Sequence, residues 1–246
     1  MMKKESEKTS VIKDSEGFYQ LPKEGGAGAA ILRFLPSMPN EKFPFVQIFT
    51  HAFPGHAKQW FIETCPTTIG KPCPVCDANK VLRNSGNDSK KKLAEVQKAK
   101  MNYVSNVTII KDAKMPSNEG KVLLFKYGVK IMSKLEELVT PSFGDEPIDP
   151  FDSDEGANFR LRMTQAGGFP NYDKSSFDPS SKLGDEKEVN RILAGRRSLD
   201  ELVDPKQFKS YEDLKKKFEK IVGTPPPPVT DATVTPTPEL PADPQQ

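Results

Sequence analysis

The stretch HAFPGHAKQWFIETCPTTIGKPCPVC, from His51 to Cys76, holds all three cysteines and both histidines of the 246-residue chain. Cys73-Pro-Val-Cys76 puts two thiolates on one tight knuckle, Cys65 closes from upstream at the end of WFIET, and one histidine completes a Cys3His set. Tetrahedral zinc takes four such soft or borderline donors. His51, in the strand-like FVQIFTHAF, suits the fourth position better than His56, which sits in a Pro-Gly turn at the expected hairpin tip, pointing away from Cys65. With four protein ligands no coordination position stays open. The expected cofactor is therefore one structural zinc ion per chain, held by His51, Cys65, Cys73 and Cys76.

Other chemistries use similar spacings. A thioredoxin-type redox pair needs a strand-to-helix context in a βαβ unit, and the prolines around Cys73 and the lack of a βαβ pattern argue against it. A zinc nucleobase deaminase shares the Pro-Cys-x-x-Cys of residues 72–76 but also needs His-x-Glu, whereas the histidines here read His51-Ala-Phe and His56-Ala-Lys. An odd cysteine count without a secretory leader disfavours a disulfide.

The chain is 35% hydrophobic with a mean hydropathy of −0.59, enough for one core of about 200 residues with polar ends. No apolar run reaches the roughly 18 residues of a membrane span, and Met1-Met2-Lys3-Lys4-Glu5 has no apolar segment, so a cytoplasmic, reducing setting without membrane contact is expected. The net charge is +2, of which residues 224–246 contribute three acids and no base. Such a balance permits a basic groove without requiring one.

Taken in order, residues 1–17 are charged and aperiodic and read as a flexible arm. AAILRFLPS reads as a buried strand, and Phe45 to Phe53 with Gln59 to Thr64 as a hairpin about Pro54-Gly55. SKKKLAEVQKAKM is a short helix within a lysine-rich rim. Strands resume with NYVSNVTII and KVLLFKYGVK, followed by a helix at Lys130–Val139, an acidic Pro-rich loop, the strand ANFRLRMTQ and the turn GGFPNY. Helices close the chain at 186–194 and 210–222. From residue 224 onward, eight prolines and no aromatic mark a disordered extended tail. The class is mainly β with peripheral helices (α+β).

Aromatics interleaved with bases are what single-strand binding uses: bases stack on rings while cations neutralise phosphates. Phe125 and Tyr127 share a face of a strand with Lys126 and Lys130 nearby, Arg160 and Arg162 share one side of another, and Phe169 and Tyr172 stand in a glycine turn. Any of these rings could equally be core.

Several stretches in order, AAILRFLPS, THAF with WFIETC and CPVC, IIKD, NEGKV, EGANFRLR and GGFPNYDKSSF, together resemble the helix-destabilising single-stranded DNA-binding proteins of T4-like bacteriophages over about residues 20–222. The resemblance implies an OB-fold-type barrel spanning residues 18–223, a zinc subdomain inserted at about 51–100, and an electropositive cleft that binds single strands cooperatively in phage DNA replication, recombination and repair. It implies no catalysis, a place in the infected host's cytoplasm, and as partners single-stranded DNA, neighbouring copies and phage replication and recombination proteins. It assigns zinc to the same four donors and DNA contact to Tyr103, Phe125, Phe169 and Tyr172. Tyr127, Lys111, Lys121, Lys126, Lys130, Arg160 and Arg162 complete the expected interface. This chain departs from the family at Val104, where the family has Trp, in an arm where Glu5 and Glu7 interrupt the bases, and in an ending, ELPADPQQ, with few acids.

Overall fold

In the computed structural model residues 17–56 and 59–223 are described; the expected arm, but for Gly17, and the expected tail lie outside them. Among the described residues eight antiparallel strands form one sheet: β1 (Gly28–Phe34), β2 (Val46–Pro54), β3 (Trp60–Thr64), β4 (Lys100–Lys111), β5 (Val122–Tyr127), β6 (Ala157–Ala166), β7 (Phe169–Asn171) and β8 (Ser176–Ser180). The order is β3-β2-β4-β1-β6-β7, with β5 added to β4 and β8 to β6. Five helices surround it: α1 (Pro74–Asn84), α2 (Asp88–Gln97), α3 (Val129–Val139), α4 (Glu186–Ala194) and α5 (Tyr211–Val222). The mainly β reading with peripheral helices matches this arrangement.

The twelve residues of β4 explain why the sheet holds together. It pairs with β2 through Lys100–Val104, with β1 through Val107–Lys111, and along its other edge with β5. Both of its faces are covered. Tyr103, Val107 and Ile109 enter the main core with Leu32, Phe34, Phe159 and Leu161, and α3 adds Ile131 and Leu135. Val104 turns the other way, toward Ile48, Leu124 and Leu199. Phe34 is the hub of the main core, its ring centroid 5.5 Å from Tyr127, 5.7 Å from Phe151 and 5.8 Å from Phe159.

The acidic loop after α3 is held rather than loose. Arg33, fully buried on β1, donates to the carbonyls of Asp152 at 3.0 Å and Ser181 at 2.8 Å, while Phe151 packs in the core. Burial lowers the guanidinium pKa, opposed by Asp152.

A second apolar cluster lies around the cysteines. Phe53 and Phe61 stack at 5.1 Å on paired strands, and Phe218 of α5 meets both edge-on at 6.2 and 5.8 Å. Ser210 caps α5 by accepting from the Asp213 amide at 3.1 Å. Gly55, in the β2–β3 turn, has no room for a side chain, since a Cβ there would lie 2.2 Å from Ile221 Cγ2 of α5. The connector between α4 and α5 lies on the other side of β4, where Leu199 packs with Ile48, Val104 and Leu124: Asn106 exchanges two hydrogen bonds of 2.9 Å with the Arg197 backbone, Arg196 donates to the Pro36 and Ser37 carbonyls, and Glu41 accepts from the Leu199 amide. One segment thus ties β4 to the loop between β1 and β2.

Candidate metal centre and nucleic-acid interface

Three elements deliver the four donors. His51 lies on β2, Cys65 follows β3, Cys73 is the N-cap of α1, and Cys76 falls in its first turn. Pro74 at the first helical position starts α1 directly after Cys73, and the helix N-terminus favours a thiolate there. The CxxC motif therefore opens a helix of eleven residues, which periodicity alone did not reveal. The expected ligand set is brought together: one donor atom from each of His51, Cys65, Cys73 and Cys76 lies within 4.8 Å of all the others.

The donor geometry fits a metal ion. Cys65 Sγ lies 3.6 Å from Cys76 Sγ, and His51 Nε2 lies 3.5 Å from Cys73 Sγ and 3.7 Å from Cys76 Sγ. A tetrahedron with metal–sulfur bonds of about 2.3 Å and a metal–nitrogen bond of about 2.0 Å has edges of about 3.5 to 3.8 Å. The surroundings orient the donors. His51 Nδ1 is 2.9 Å from the Gln97 carbonyl, which turns Nε2 toward the sulfurs, and Thr67 Oγ1 lies 3.0 Å from Cys65 Sγ. Hydrogen bonding from Cys73 and Cys76 holds the Cys65 thiol far below its ordinary pKa. Burial lowers that of His51, but its contacts with Cys65 and Cys76 outweigh this and push it up to about 9. His56 lies elsewhere, its Nε2 2.9 Å from the Val222 carbonyl.

The expected DNA-facing residues separate into two groups. Tyr103, Phe125 and Tyr127 are no more than 6% exposed and belong to the main core, which corrects their expected placement as exposed stacking faces. The alternation of β5 puts both of its rings inward and Lys126 outward, and Tyr103 on β4 faces them, stacked on Tyr127 at 5.7 Å. Phe169, by contrast, is 76% exposed beside a two-glycine hairpin turn in which Gly167 and Gly168 both have positive φ. Tyr172 is half-buried at the rim of the main core, and burial raises its pKa.

The cations are better placed than the rings. Ile31 of β1 is the register partner of Lys111 on one side and Arg160 on the other, and Ala29 is that of Arg162. Paired residues share a face, here the one opposite the main core, so three cations flank a strand of small residues. Between them is a hollow of about 160 Å³ with Ala29, Ala30 and Ile31 in its lining. Arg160 also pairs with Asp178. Lys130 is exposed and engaged by Asp173 at 2.8 Å, Lys121 is exposed in the β4–β5 turn, and Lys126 is exposed on β5. Sequence reasoning passed over Phe43, 52% exposed, although Phe43-Pro44-Phe45 is an aromatic pair of the kind it sought.

Residues 26–222 match the family model described as gp32 DNA binding protein like. The chain is 36% identical over 206 residues to the single-stranded DNA-binding protein of Enterobacteria phage T4, covering 81% of this chain and 67% of that protein. It is 34% identical over 232 residues to the protein of the same description from Enterobacteria phage T2, covering 91% and 76%.

Proposed function

The chain belongs to the gp32 DNA binding protein like family, and from that premise we propose that it binds single-stranded DNA with little sequence preference during phage DNA replication, recombination and repair. The observation that carries this reading beyond the family is the row of three cations, Lys111, Arg160 and Arg162, across the β1 hollow. Strands lie about 4.8 Å apart, so Lys111 and Arg160 reach from backbones roughly 10 Å apart toward the same space. That spacing suits a backbone passing over the hollow with phosphates held from both sides. Counterion release then drives association, while Phe169 and Tyr172 offer faces to unpaired bases. A duplex keeps its bases stacked inside and gains only the phosphate contacts. Single strands are therefore preferred, and weak helices melt.

The remaining expected residues take subordinate roles in this reading. Lys121, Lys126 and Lys130 add positive charge around the sheet, and Tyr103, Phe125 and Tyr127 back it from within. The barrel is of OB-fold type with the cysteine-bearing segment as an insertion between its strands. His51, Cys65, Cys73 and Cys76 hold one zinc ion, which supplies cross-linking rather than chemistry because the four donors fill a tetrahedron. Neighbouring copies along the strand and phage replication proteins are the expected partners, and the chain binds rather than catalyses. Among the described residues no helix is long and apolar enough to cross a membrane.

Fluorescence titration with oligo-dT and with duplex of equal length, at several salt concentrations, tests the proposal. Single strands should bind more tightly and log affinity should fall linearly with log salt. Equal affinity for duplex, or affinity indifferent to salt, overturns it.

A further inference from the structure

We infer that Phe43, with Lys42 beside it, is a further base-stacking site, so that single-stranded DNA meets the protein at the Phe43-Pro44-Phe45 loop as well as at the Phe169 hairpin. The inference rests on the proposed binding of single strands. Phe43 is 52% exposed, yet its ring is held in place. It stacks on Phe45 with centroids 5.8 Å apart and planes at 24°. Phe45 in turn meets Tyr103 edge-on at 5.7 Å, and Tyr103 stacks on Tyr127 at 5.7 Å. A ladder of rings therefore runs from the interior to solvent, and Phe43 is its outermost rung. A base laid on the solvent side of Phe43 would continue it, displacing the Lys42 ammonium from over the ring.

Two further features fit a nucleotide. The ammonium of Lys42 lies over the Phe43 ring, 5.3 Å from its centroid, on a long side chain that can swing from the ring to the phosphate of a base stacked there. The loop is also pre-shaped. Pro44 fixes its own φ and restricts Phe43 to extended backbone, which sends both rings to one side. Glu41 accepts from the Met38 amide at 3.0 Å and from the Leu199 amide, and Arg196 clasps the Pro36 and Ser37 carbonyls. Little freedom is lost when a ligand docks on a platform pinned in this way.

The loop also borders the same core as Tyr172. Phe45 and Tyr172 both pack at the rim of the main core. Phe45 further lines a groove of about 500 Å³ with Met132 and Phe151, which leaves open space beside the ladder.

The test compares wild type with Phe43→Ala and Lys42→Ala, using oligo-dT and an abasic oligonucleotide of equal phosphate count. Melting temperatures confirm that each variant is folded. Phe43→Ala should weaken oligo-dT binding about fivefold or more, leave abasic binding and the salt slope unchanged, and so shrink the preference for bases. Lys42→Ala should flatten the salt slope and keep that preference. Phe43→Trp in a Trp60→Phe background should show fluorescence quenched by oligo-dT. An unchanged base preference in Phe43→Ala, or an indole in Phe43→Trp that oligo-dT leaves unquenched, overturns the inference while the wild-type titration leaves the broader function standing. Failure of the wild type to bind single strands removes both.

Discussion

His51 Nδ1 lies 2.9 Å from the main-chain carbonyl of Gln97, the last residue of α2. That contact fixes which ring nitrogen faces the cysteines, so a ligand on a strand is aimed by the end of a helix 46 residues away. The donors are thus oriented by the fold, and metal and fold should stand or fall together.

Chelation is expected to release one zinc ion per chain and to lower the melting temperature, because the binding energy of a structural metal is folding energy. Cys73→Ser should do the same without chelator. Elemental analysis of the purified chain returning no metal, or a melting curve indifferent to chelator, would count against the assignment.

Phe218→Ala should cost about 3 to 5 kcal/mol, since its ring is 2% exposed and wedged against Phe53 and Phe61. Urea denaturation measures this. Hydrogen exchange should locate the loosening in α5 and α1 rather than in β1 or β6.

Lys111, Arg160 and Arg162 should act on salt dependence rather than on base preference. Replacing all three with alanine is expected to flatten the slope of log affinity against log salt by about 2, near 0.7 per lost phosphate contact. A slope that does not move would place the strand elsewhere.

Phe169 and Tyr127 should respond in opposite ways to alanine. The first, 76% exposed, should lose affinity for oligo-dT at unchanged stability. The second, 3% exposed, should lose stability by about 3 kcal/mol or more. Thermal melts alongside titrations separate the two.

Stability should decline in alkali. Burial, and for Tyr19 also its 2.9 Å hydrogen bond to Asp112, raises the pKa of Tyr19; burial likewise raises that of Tyr127. A phenol whose folded pKa exceeds its unfolded value stabilises fully below the unfolded value, near 10, and loses that contribution as pH climbs toward the folded value. Above about pH 10 each should remove roughly 1.4 kcal/mol per pH unit. Urea midpoints at pH 9 and pH 11 check it, and Tyr19→Phe should reduce the decline.

What was legible in the sequence follows from how local each signal is. The donor set could be read because cysteine and histidine are rare here and their spacing is chemical. Strands β1, β2, β4 and β6 and helix α5 carried alternation, caps or stops that act within a few residues. Helix α1 was missed because Pro74 at its start looks like a turn signal until Cys73 is recognised as its cap. Strand β8 was missed because Pro179 interrupts it and its pairing with β6 is set across the fold. For the rings, alternation gave two faces of β5 correctly but not which faced water, since that depends on α3 and β1 packing from afar. Phe43 went unnoticed for the converse reason: its significance lies in a ladder built from the loop before β2 and from β4 and β5, which no short window contains.

The connector from Arg196 to Lys209 packs Leu199 against Ile48 and Val104 of β2 and β4 at one end, and at the other the Lys209 ammonium lies 2.7 Å from the buried Glu63 carboxylate on β3. The two halves of the molecule therefore work as the jaws of a calliper with its screw tightened. A single proteolytic nick in that stretch would leave every metal donor and every cation in place and still let the jaws swing about β2 and β4.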